Sequence, residues 1–299
     1  MLRWKRTATP APWPKWVDVP QRPAPAPPPS GVVATLVNHA TFLLQTSAMA
    51  LLTDPHWSGR AGPFGLGSAR VHRPAIAFSD LPPIGAILLS HDHYDHCDLA
   101  TLRRLARREP RTRLIAPLGH ETLARRAGFD TDRLTVLDWW ESVELAGGGR
   151  ITATPARHWS NRVRGRRNGR LWCGYRIEAE GVSVHFAGDT GADPVMFPEI
   201  HDRLGAPDLA LLPIGAYEPR WFMAAQHCDP AEAVALHQQL RARRSLGMHW
   251  GTFQLTDEAR EAPVEELKRA VAAAGLHPAA FTAAQPGDSV WVEAIRGQR

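Results

Sequence analysis

The chain has 299 residues, of which 44% are hydrophobic and 22% charged, so it can form one large domain or two small ones with a substantial core. The formal charge of +5 comes from 35 basic and 30 acidic side chains, an excess too small to identify a nucleic-acid, membrane or anionic partner by itself. The three cysteines are odd in number and have no CxxC spacing, which argues against a disulfide framework and favours a reducing compartment.

The first thirty residues are rich in proline and predict an extended, polyproline-like arm. Trp4, Trp13 and Trp16 lie among basic residues there, so the arm either contacts lipid headgroups or folds back onto the protein, and folding back is favoured. The segment lacks the apolar core of a signal peptide, and no run approaches the ~20 apolar residues of a transmembrane helix. We therefore expect a cytoplasmic protein whose only contact with a membrane is peripheral.

The rest of the chain, residues 31–299, indicates one domain in which strands dominate and helices intervene. Apolar and alternating runs predict strands at residues 32–37, 41–45, 50–53, 86–89, 113–116, 134–137, 151–154, 172–179, 182–187, 209–212, 245–248 and 289–294. Amphipathic runs predict helices at residues 98–108, 120–127, 230–243 and 263–274. Residues 55–80 are rich in Gly, Pro and polar groups and predict a long loop. This order of elements predicts an α/β or mixed α+β class.

A dense group of metal-ligand side chains follows the strand predicted at residues 86–89. His91, His93, Asp95 and His96 fall within six residues, and imidazole nitrogen and carboxylate oxygen are the ligands of zinc and related metals. Residues two apart on an extended chain face the same way, so His91 and His93 can bind one metal. Asp95 and His96 can reach a second metal as the chain turns into the next helix. The alternative, a polar loop with incidental histidines, is disfavoured by this density.

Three further strands each deliver one ligand-type residue shortly after they end. His158, Asp189 and His249 follow the strands predicted at residues 151–154, 182–187 and 245–248. Taken singly, a His or Asp at a strand end is more often structural. Loops at strand ends are where active sites are assembled, however, and four such ends with compatible ligands predict one metal site.

The motif His91-x-His93-x-Asp95-His96, followed by His158, Asp189 and His249, resembles that of the metallo-β-lactamase superfamily of binuclear hydrolases. Over residues 31–295 the resemblance implies a four-layer αβ/βα sandwich with two metals at one edge of the sheets. Runs without a metal ligand, at residues 137–141 and 213–223, are similar to the family of N-acylphosphatidylethanolamine-hydrolysing phospholipases D.

The resemblance implies a role for each ligand. The first metal would be bound by His91, His93 and His158, the second by Asp95, His96 and His249, with Asp189 as a bridge between them. Asp189, His227 and Asp95 are the candidate catalytic residues.

Three residues near these ligands have a less defined role. Asp54 looks like the family's carboxylate that orients a ligand imidazole, with a turn cap before Pro55 as an equal alternative. His227 matches a histidine near the phospholipase active site, where it would bind substrate or protonate the leaving group; the alternative is a flank of the next helix. His39 lies in a family-like motif that assigns it no role.

The activity implied by the resemblance is hydrolysis of a phosphodiester or phospholipid, with an N-acyl phosphatidylethanolamine-like lipid as the leading substrate. Two Zn²⁺ ions, or Mn²⁺ or Fe in their place, would activate a shared water as a bridging hydroxide. The resemblance also implies a homodimer. Six arginines at positions 157–170 could attract phosphate, although a solvated hairpin is favoured for most of them. Trp57, Phe64 and Leu66 could form an apolar lip for acyl chains or cover the core.

Other functions remain as alternatives. A lactonase or a nuclease could use the same metal scaffold, and a non-catalytic metal-binding protein is disfavoured because the ligand set is complete. The flavodiiron branch is disfavoured because His93 stands where a Glu is expected. The sequence has no GxSxG, HExxH or P-loop motif. A nucleic-acid partner is disfavoured because the arginines are scattered and lack a companion aromatic stacking motif.

Overall fold

The computed structural model describes residues 8–145, 148–163 and 165–294, and its framework is a pair of seven-stranded β-sheets. The strands in chain order are β1 (Val32–Asn38), β2 (Thr41–Gln45), β3 (Ala50–Thr53), β4 (Arg60–Ala61), β5 (Ser68–Ala69), β6 (Ile84–Leu88), β7 (Arg113–Pro117), β8 (Leu134–Leu137), β9 (Ser142–Leu145), β10 (Gly149–Thr154), β11 (Gly174–Ala179), β12 (Val182–Phe186), β13 (Leu209–Pro213), β14 (Ser245–Met248), β15 (Phe281–Ala283) and β16 (Ser289–Val292). The helices are α1 (Leu99–Arg108), α2 (Glu121–Arg126), α3 (Met196–Leu204), α4 (Arg220–Met223), α5 (Pro230–Gln239) and α6 (Ala262–Ala273).

Each sheet has an antiparallel half and a parallel half. The first sheet has the order β16-β1-β2-β3-β6-β7-β8 and is antiparallel from β16 to β3 and parallel from β3 to β8. The second has the order β15-β14-β13-β12-β11-β10-β9 and is parallel from β15 to β12 and antiparallel from β12 to β9. Because parallel neighbours end at the same edge of a sheet, the loops after β3 and β6, and those after β12 and β14, gather at one edge.

The central strands of both sheets are buried on both faces, so their apolar residues follow one another without alternating with exposed polar ones. On β2, Phe42 and Leu44 belong to the core between the two sheets, whereas Leu43 belongs to the core beneath the helices of the first sheet. On β13, Leu211 faces the other sheet and Leu212 packs with the helices of the second sheet. Alternate residues of a strand point to opposite faces, so one run fills two cores.

The three cores define a four-layer αβ/βα sandwich, which confirms the fold class predicted from the sequence. Helices α1 and α2 cover the first sheet through residues such as Leu102, Leu105 and Leu123. Helices α3, α5 and α6 cover the second through Phe197, Leu236 and similar side chains. None of the described helices has both the length and the apolar surface needed to cross a lipid bilayer.

The described part of the N-terminal arm lies against the domain. The backbone N–H of Val17 donates to the carbonyl of Val71 at 2.6 Å, and the indole N–H of Trp13 donates to the carbonyl of Glu258 at 2.9 Å. Trp16 is 49% exposed, and Trp4 lies outside the described residues. All three cysteines are buried free thiols.

Several elements differ from the sequence prediction. Helix α3 was not predicted; it has a proline, Pro198, in its first turn, where a backbone N–H has no partner within the helix in any case. Helix α5 ends at Gln239 instead of residue 243, because Arg241 has a φ of 51° and cannot continue a right-handed helix. Strands β9 and β15 were not predicted; β9 has exposed Ser142 and Glu144 and so lacks an apolar run, and β15 has only three residues. The loop predicted at residues 55–80 contains the small hairpin of β4 and β5.

Candidate metal centre

The predicted ligands converge at the common edge of the two sheets. The loop between β6 and α1 carries the first four, His91, His93, Asp95 and His96. After His93 this loop makes a helical turn, in which the N–H groups of His96 and Cys97 donate to the carbonyl of His93 at 3.2 and 2.8 Å. That turn brings Asp95 and His96 around to one side of the loop.

One group of side chains consists of His91, His93, His158 and Asp189, whose ligand atoms all lie within 4.8 Å of one another. His93 Nδ1 lies 3.0 Å from His91 Nε2 and 3.1 Å from His158 Nε2. Asp189 Oδ2 lies 3.8 Å from the Nε2 atoms of both His91 and His158. The structure therefore brings together the four residues predicted for the first metal.

A second group surrounds the same carboxylate. His96 Nε2 and His249 Nε2 lie 3.0 Å apart, and they lie 3.1 and 3.2 Å from Asp189 Oδ2. Asp95 Oδ2 lies 3.4 Å from His96 Nε2 and 3.3 Å from His249 Nε2. Asp189 thus lies between the two groups, in the position predicted for a bridging ligand.

These spacings fit metal ligands better than hydrogen bonds. Ligand atoms about 2.0–2.1 Å from a tetrahedral zinc ion are about 3.3 Å apart, close to the observed 3.0–3.8 Å. The single nitrogen His93 Nδ1 faces two other imidazole nitrogens, and one ring nitrogen cannot satisfy both as hydrogen bonds. The Oδ1 atom of Asp189 is buried and has no hydrogen-bond partner among the described residues. The residues present therefore fit two cations.

Asp54 orients ligands of both groups. It follows β3, and its Oδ2 accepts a hydrogen bond from His96 Nδ1 at 2.6 Å and one from the Ser90 hydroxyl at 2.6 Å. Its Oδ1 accepts from the Ser90 backbone N–H at 2.7 Å, and Ser90 Oγ in turn lies 2.8 Å from His91 Nδ1. With their Nδ1 hydrogens used in this way, His91 and His96 present bare Nε2 atoms to the cations. These contacts favour the orienting role of Asp54 over the turn cap.

The loop that carries His158 is held by polar contacts to the first ligand loop. Asp92 accepts from the guanidinium of Arg170 at 2.9 Å and from the N–H of Asn161 at 2.8 Å. The guanidinium of Arg162 donates to the carbonyls of Asp92 and Cys97. Two of the arginines considered for phosphate binding are therefore occupied by contacts within the protein, and Arg164 lies outside the described residues.

Burial and the mixed charges set the protonation of the ligands. Burial lowers the pKa of His93 to about 3 and that of His91 well below its usual value. Burial raises the pKa of Asp189, but His249 and His96 outweigh it and hold this pKa well below its usual value. Burial lowers the pKa of His249, but Asp189 outweighs it and raises the pKa to about 9. The carboxylates stay ionised and attract positive charge into a buried site, which a metal ion would supply.

Strained backbone is concentrated at this site. Asp54, His39 and His249 have φ values of 35°, 47° and 62°, in the left-handed region that non-glycine residues rarely adopt. Such strain clusters at active sites and is maintained by surrounding contacts. Here it aims side chains from three different loops at one point.

His227 lies at the rim of the site, before α5. Its ring centroid lies 5.0 Å from that of His158 and 5.5 Å from that of His249. Its Nδ1 has no hydrogen-bond partner in the described structure, and burial lowers its pKa well below the usual value. Asp189, His227 and His249 form a further group with ligand atoms within 4.8 Å. The position next to two ligands favours function over a simple helix flank.

The sequence missed the residues that support the ligands. Ser90 holds His91, and the carbonyl of Gln226 accepts from His158 Nδ1 at 2.9 Å. Thr252 accepts a hydrogen bond from the backbone of His39. Ser90 immediately precedes His91, so its position was a signal; a backbone carbonyl such as that of Gln226 leaves no signal in the residue type.

A cleft of 890 Å³ is lined by Tyr94 and Cys97 of the first ligand loop and by none of the seven predicted metal ligands. Its lining combines apolar and cationic side chains, among them Phe64, Leu99, Leu123, Val163, Arg60, Arg103, Arg126 and Arg162. Phe64 and Val163 are 79% and 63% exposed, which is unusual for large apolar side chains. Trp57, in contrast, packs against the core under α1 and donates to the carbonyl of Ile76, so it does not form a lip.

A scan against family models matches residues 50–250 to the beta-lactamase superfamily domain. The chain is 39% identical over 247 residues to N-acyl-phosphatidylethanolamine-hydrolyzing phospholipase D 1 of Caenorhabditis elegans, covering 80% of this chain and 69% of that protein. It is 35% identical over 227 residues to the mitochondrial enzyme of that name from Saccharomyces cerevisiae, covering 74% of this chain and 48% of the yeast protein.

Among solved structures, the metallo hydrolase Igni18 of Ignicoccus hospitalis aligns with a TM-score of 0.66 and 24% identity, covering 88% of this chain and 99% of that chain. At this level of identity the likeness supports the fold alone. The sequence relatives add the family, and the chain spans about half the length of the yeast relative.

Proposed function

Because the chain belongs to the metallo-β-lactamase superfamily of metal-dependent hydrolases, we propose that it is a zinc-dependent phosphodiesterase of the phospholipase D type. The observation that carries this proposal is the carboxylate of Asp189, whose Oδ2 lies 3.8 Å from His91 and His158 Nε2 and 3.1–3.2 Å from His96 and His249 Nε2. Its substrate would be an N-acyl phosphatidylethanolamine-like lipid, the substrate class in the names of the nematode and yeast relatives. A homodimer and a cytoplasmic location stay predictions.

The residues would divide the work as the sequence predicted. His91, His93 and His158 would hold one cation and Asp95, His96 and His249 the other, with Asp189 shared between them. When bound, such a pair of cations supplies Lewis acidity and an activated water. His227 would bind the substrate or give a proton to the leaving oxygen, and its place beside His158 and His249 suits either role. Because burial lowers the pKa of His227 well below its usual value, its imidazole is neutral, which favours binding over proton donation.

The cleft beside Tyr94 supports an amphiphilic substrate. A phosphodiester lipid has an anionic centre and apolar chains, and the lining offers guanidinium groups next to Phe64, Leu99 and Val163. Arginine matches the geometry of phosphate oxygens. Hydrolysis would join the oxygen of water to phosphorus and break the bond from phosphorus to the N-acylethanolamine oxygen, releasing phosphatidate and N-acylethanolamine. Exposed Phe64 and Leu66 would contact the surface of a membrane peripherally.

The test is an assay of the purified, zinc-loaded protein with bis-p-nitrophenyl phosphate, a lactone panel and vesicles that contain N-acyl phosphatidylethanolamine. Asp189→Asn and His91→Ala should abolish turnover while circular dichroism shows a folded protein, because each removes a metal ligand. Wild-type activity in either variant would refute the metal mechanism. Hydrolysis of lactones, or of bis-p-nitrophenyl phosphate alone, with no cleavage of the lipid would replace the proposed activity with one of its alternatives.

A further inference from the structure

We propose that His39 is a positioning residue of the second metal site, where it fixes the carboxylate of Asp95 and the loop that carries His249. This role rests on the proposed binuclear site. The sequence motif around His39 assigned no role to this histidine. His39 makes three separate hydrogen bonds at this site, one through its side chain and two through its backbone.

The side chain of His39 binds the ligand oxygen of Asp95. His39 Nε2 lies 3.0 Å from Asp95 Oδ2, and a carboxylate only accepts, so this nitrogen must carry the hydrogen. The same oxygen lies 3.3 Å from His249 Nε2 and 3.4 Å from His96 Nε2, so it is the atom that faces the second cation position. The hydrogen bond therefore fixes the orientation of a metal ligand.

The backbone of His39 holds a second ligand. His39 lies in the turn between β1 and β2, and its carbonyl accepts a hydrogen bond from the N–H of His249 at 3.0 Å. Its own N–H donates to Thr252 Oγ1 at 3.1 Å, three residues further along the same loop. The rings of His39 and His249 are 4.0 Å apart between centroids. A residue of the first sheet thus ties together ligands that belong to different sheets.

A direct metal-ligand role for His39 is the alternative, because His39, Asp95, His96 and His249 form a group whose ligand atoms lie within 4.8 Å of one another. Asp95, His96, His249 and Asp189 already offer four ligand atoms, and an activated water would add a fifth, so the second position needs no further side chain. When His39 Nε2 carries the hydrogen that Asp95 accepts, it has no lone pair for a metal, so the two roles exclude each other and the titration below separates them.

The experiment compares His39→Gln with His39→Asn. The amide nitrogen of Gln reaches about as far as imidazole Nε2 and can donate to Asp95, whereas that of Asn reaches only as far as Nδ1. Asn tolerates the left-handed backbone at this position well, so the variant should fold. His237→Leu is the control for the loss of a buried histidine elsewhere in the protein. His237 lies in helix α5, and its Nδ1 is 2.8 Å from Ser245 Oγ.

The measurement is titration of the metal-free proteins with Zn²⁺ against a chromophoric chelator. We expect two zinc ions in the wild type, one of them bound about 10–100-fold more weakly in His39→Asn, and values close to wild type in His39→Gln and His237→Leu. Equal weakening in both His39 variants would identify a direct ligand and overturn the proposal. No weakening in His39→Asn, or the same weakening in His237→Leu, would overturn it as well. Fewer than two ions in the wild type would refute the binuclear site itself, and with it the role of His39.

Discussion

Replacing Asp54 with Asn tests how one buried carboxylate supports the metal centre. Asp54 accepts three hydrogen bonds, two from Ser90 and one from His96 Nδ1, at 2.6–2.7 Å. Asn has the same shape, and its remaining oxygen can still accept from the Ser90 backbone N–H. Its NH₂ group, however, would face the Nδ1 hydrogen of His96, so two donors would oppose each other.

The expected loss follows from that single conflict. The Ser90 hydroxyl can rotate, but His96 can avoid the clash only by moving its proton to Nε2, the nitrogen that faces the cation. A hydrogen bond to a charged group contributes about 1.5–3 kcal/mol. Loss of such an outer partner weakens metal binding about 10–100-fold, or about 1.4–2.8 kcal/mol at 1.4 kcal/mol per factor of ten. The two magnitudes agree, so Asp54→Asn should lose about that much affinity at one of the two metal positions.

The assay is zinc titration of the metal-free variant, together with elemental analysis after dialysis. Ser90→Ala is the matched control, because it removes the hydroxyl next to His91 Nδ1 and leaves the bond from His96 to Asp54 in place. We expect each variant to weaken one dissociation constant, and the double variant to weaken both. Two wild-type dissociation constants in Asp54→Asn would refute the reasoning that this carboxylate sets the protonation of His96.

Two further predictions concern stability. Removing metal with EDTA should lower the melting temperature, and added Zn²⁺ should restore it, because a ligand at 100 times its Kd stabilises the folded state by about 2.7 kcal/mol. Calorimetry measures this change, and an unchanged melting temperature would contradict the prediction. Asp193→Ala should lower the free energy of unfolding in urea at pH 7 by about 1 kcal/mol, because Asp193 Oδ1 accepts from the N–H groups of Val195 and Met196 at the start of α3. Those bonds lower the pKa of Asp193, so its contribution to the free energy of unfolding is present above the unfolded pKa of about 3.9 and is lost as the pH falls through the lower folded pKa. If the variant and the wild type still differed in free energy of unfolding at pH 2, the prediction would be contradicted.

The ligands of the candidate site could be predicted because they carry two signals at once. His91, His158, Asp189 and His249 are metal-ligand types, and each follows a short β-like run that ends at the same edge of the fold. Residue type and strand position together were enough to group them. The order of elements predicted only an α/β or mixed class, whereas the four-layer sandwich was what the resemblance to the metallo-β-lactamase superfamily implied. Strands such as β2 and β13, which are buried on both faces, fit that architecture.

The supporting contacts could not be predicted, because they depend on pairing between distant parts of the chain. Nothing in the sequence places the turn after β1 beside Asp95, which is 56 residues away from His39. The carbonyl of Gln226 acts through the backbone, so its residue type carries no information about its contact with His158. The left-handed φ of Asp54 likewise arises from the packing around it.

The arginines show why counting charge near a site misleads. Arg162 and Arg170 were candidates for phosphate binding, yet both bind the first ligand loop, through Asp92 and the carbonyl of Cys97. A buried carboxylate such as Asp92 needs a cationic or N–H partner, and this requirement is met before any substrate arrives. Because the bond between Arg170 and Asp92 links the loop of His158 to that of His91, it keeps ligands from both sheets at a fixed separation. The positive charge of Arg162 and Arg170 therefore acts first on the geometry of the ligands, and on the proposed function an anionic substrate would be attracted by the other arginines of the cleft, Arg60, Arg103 and Arg126.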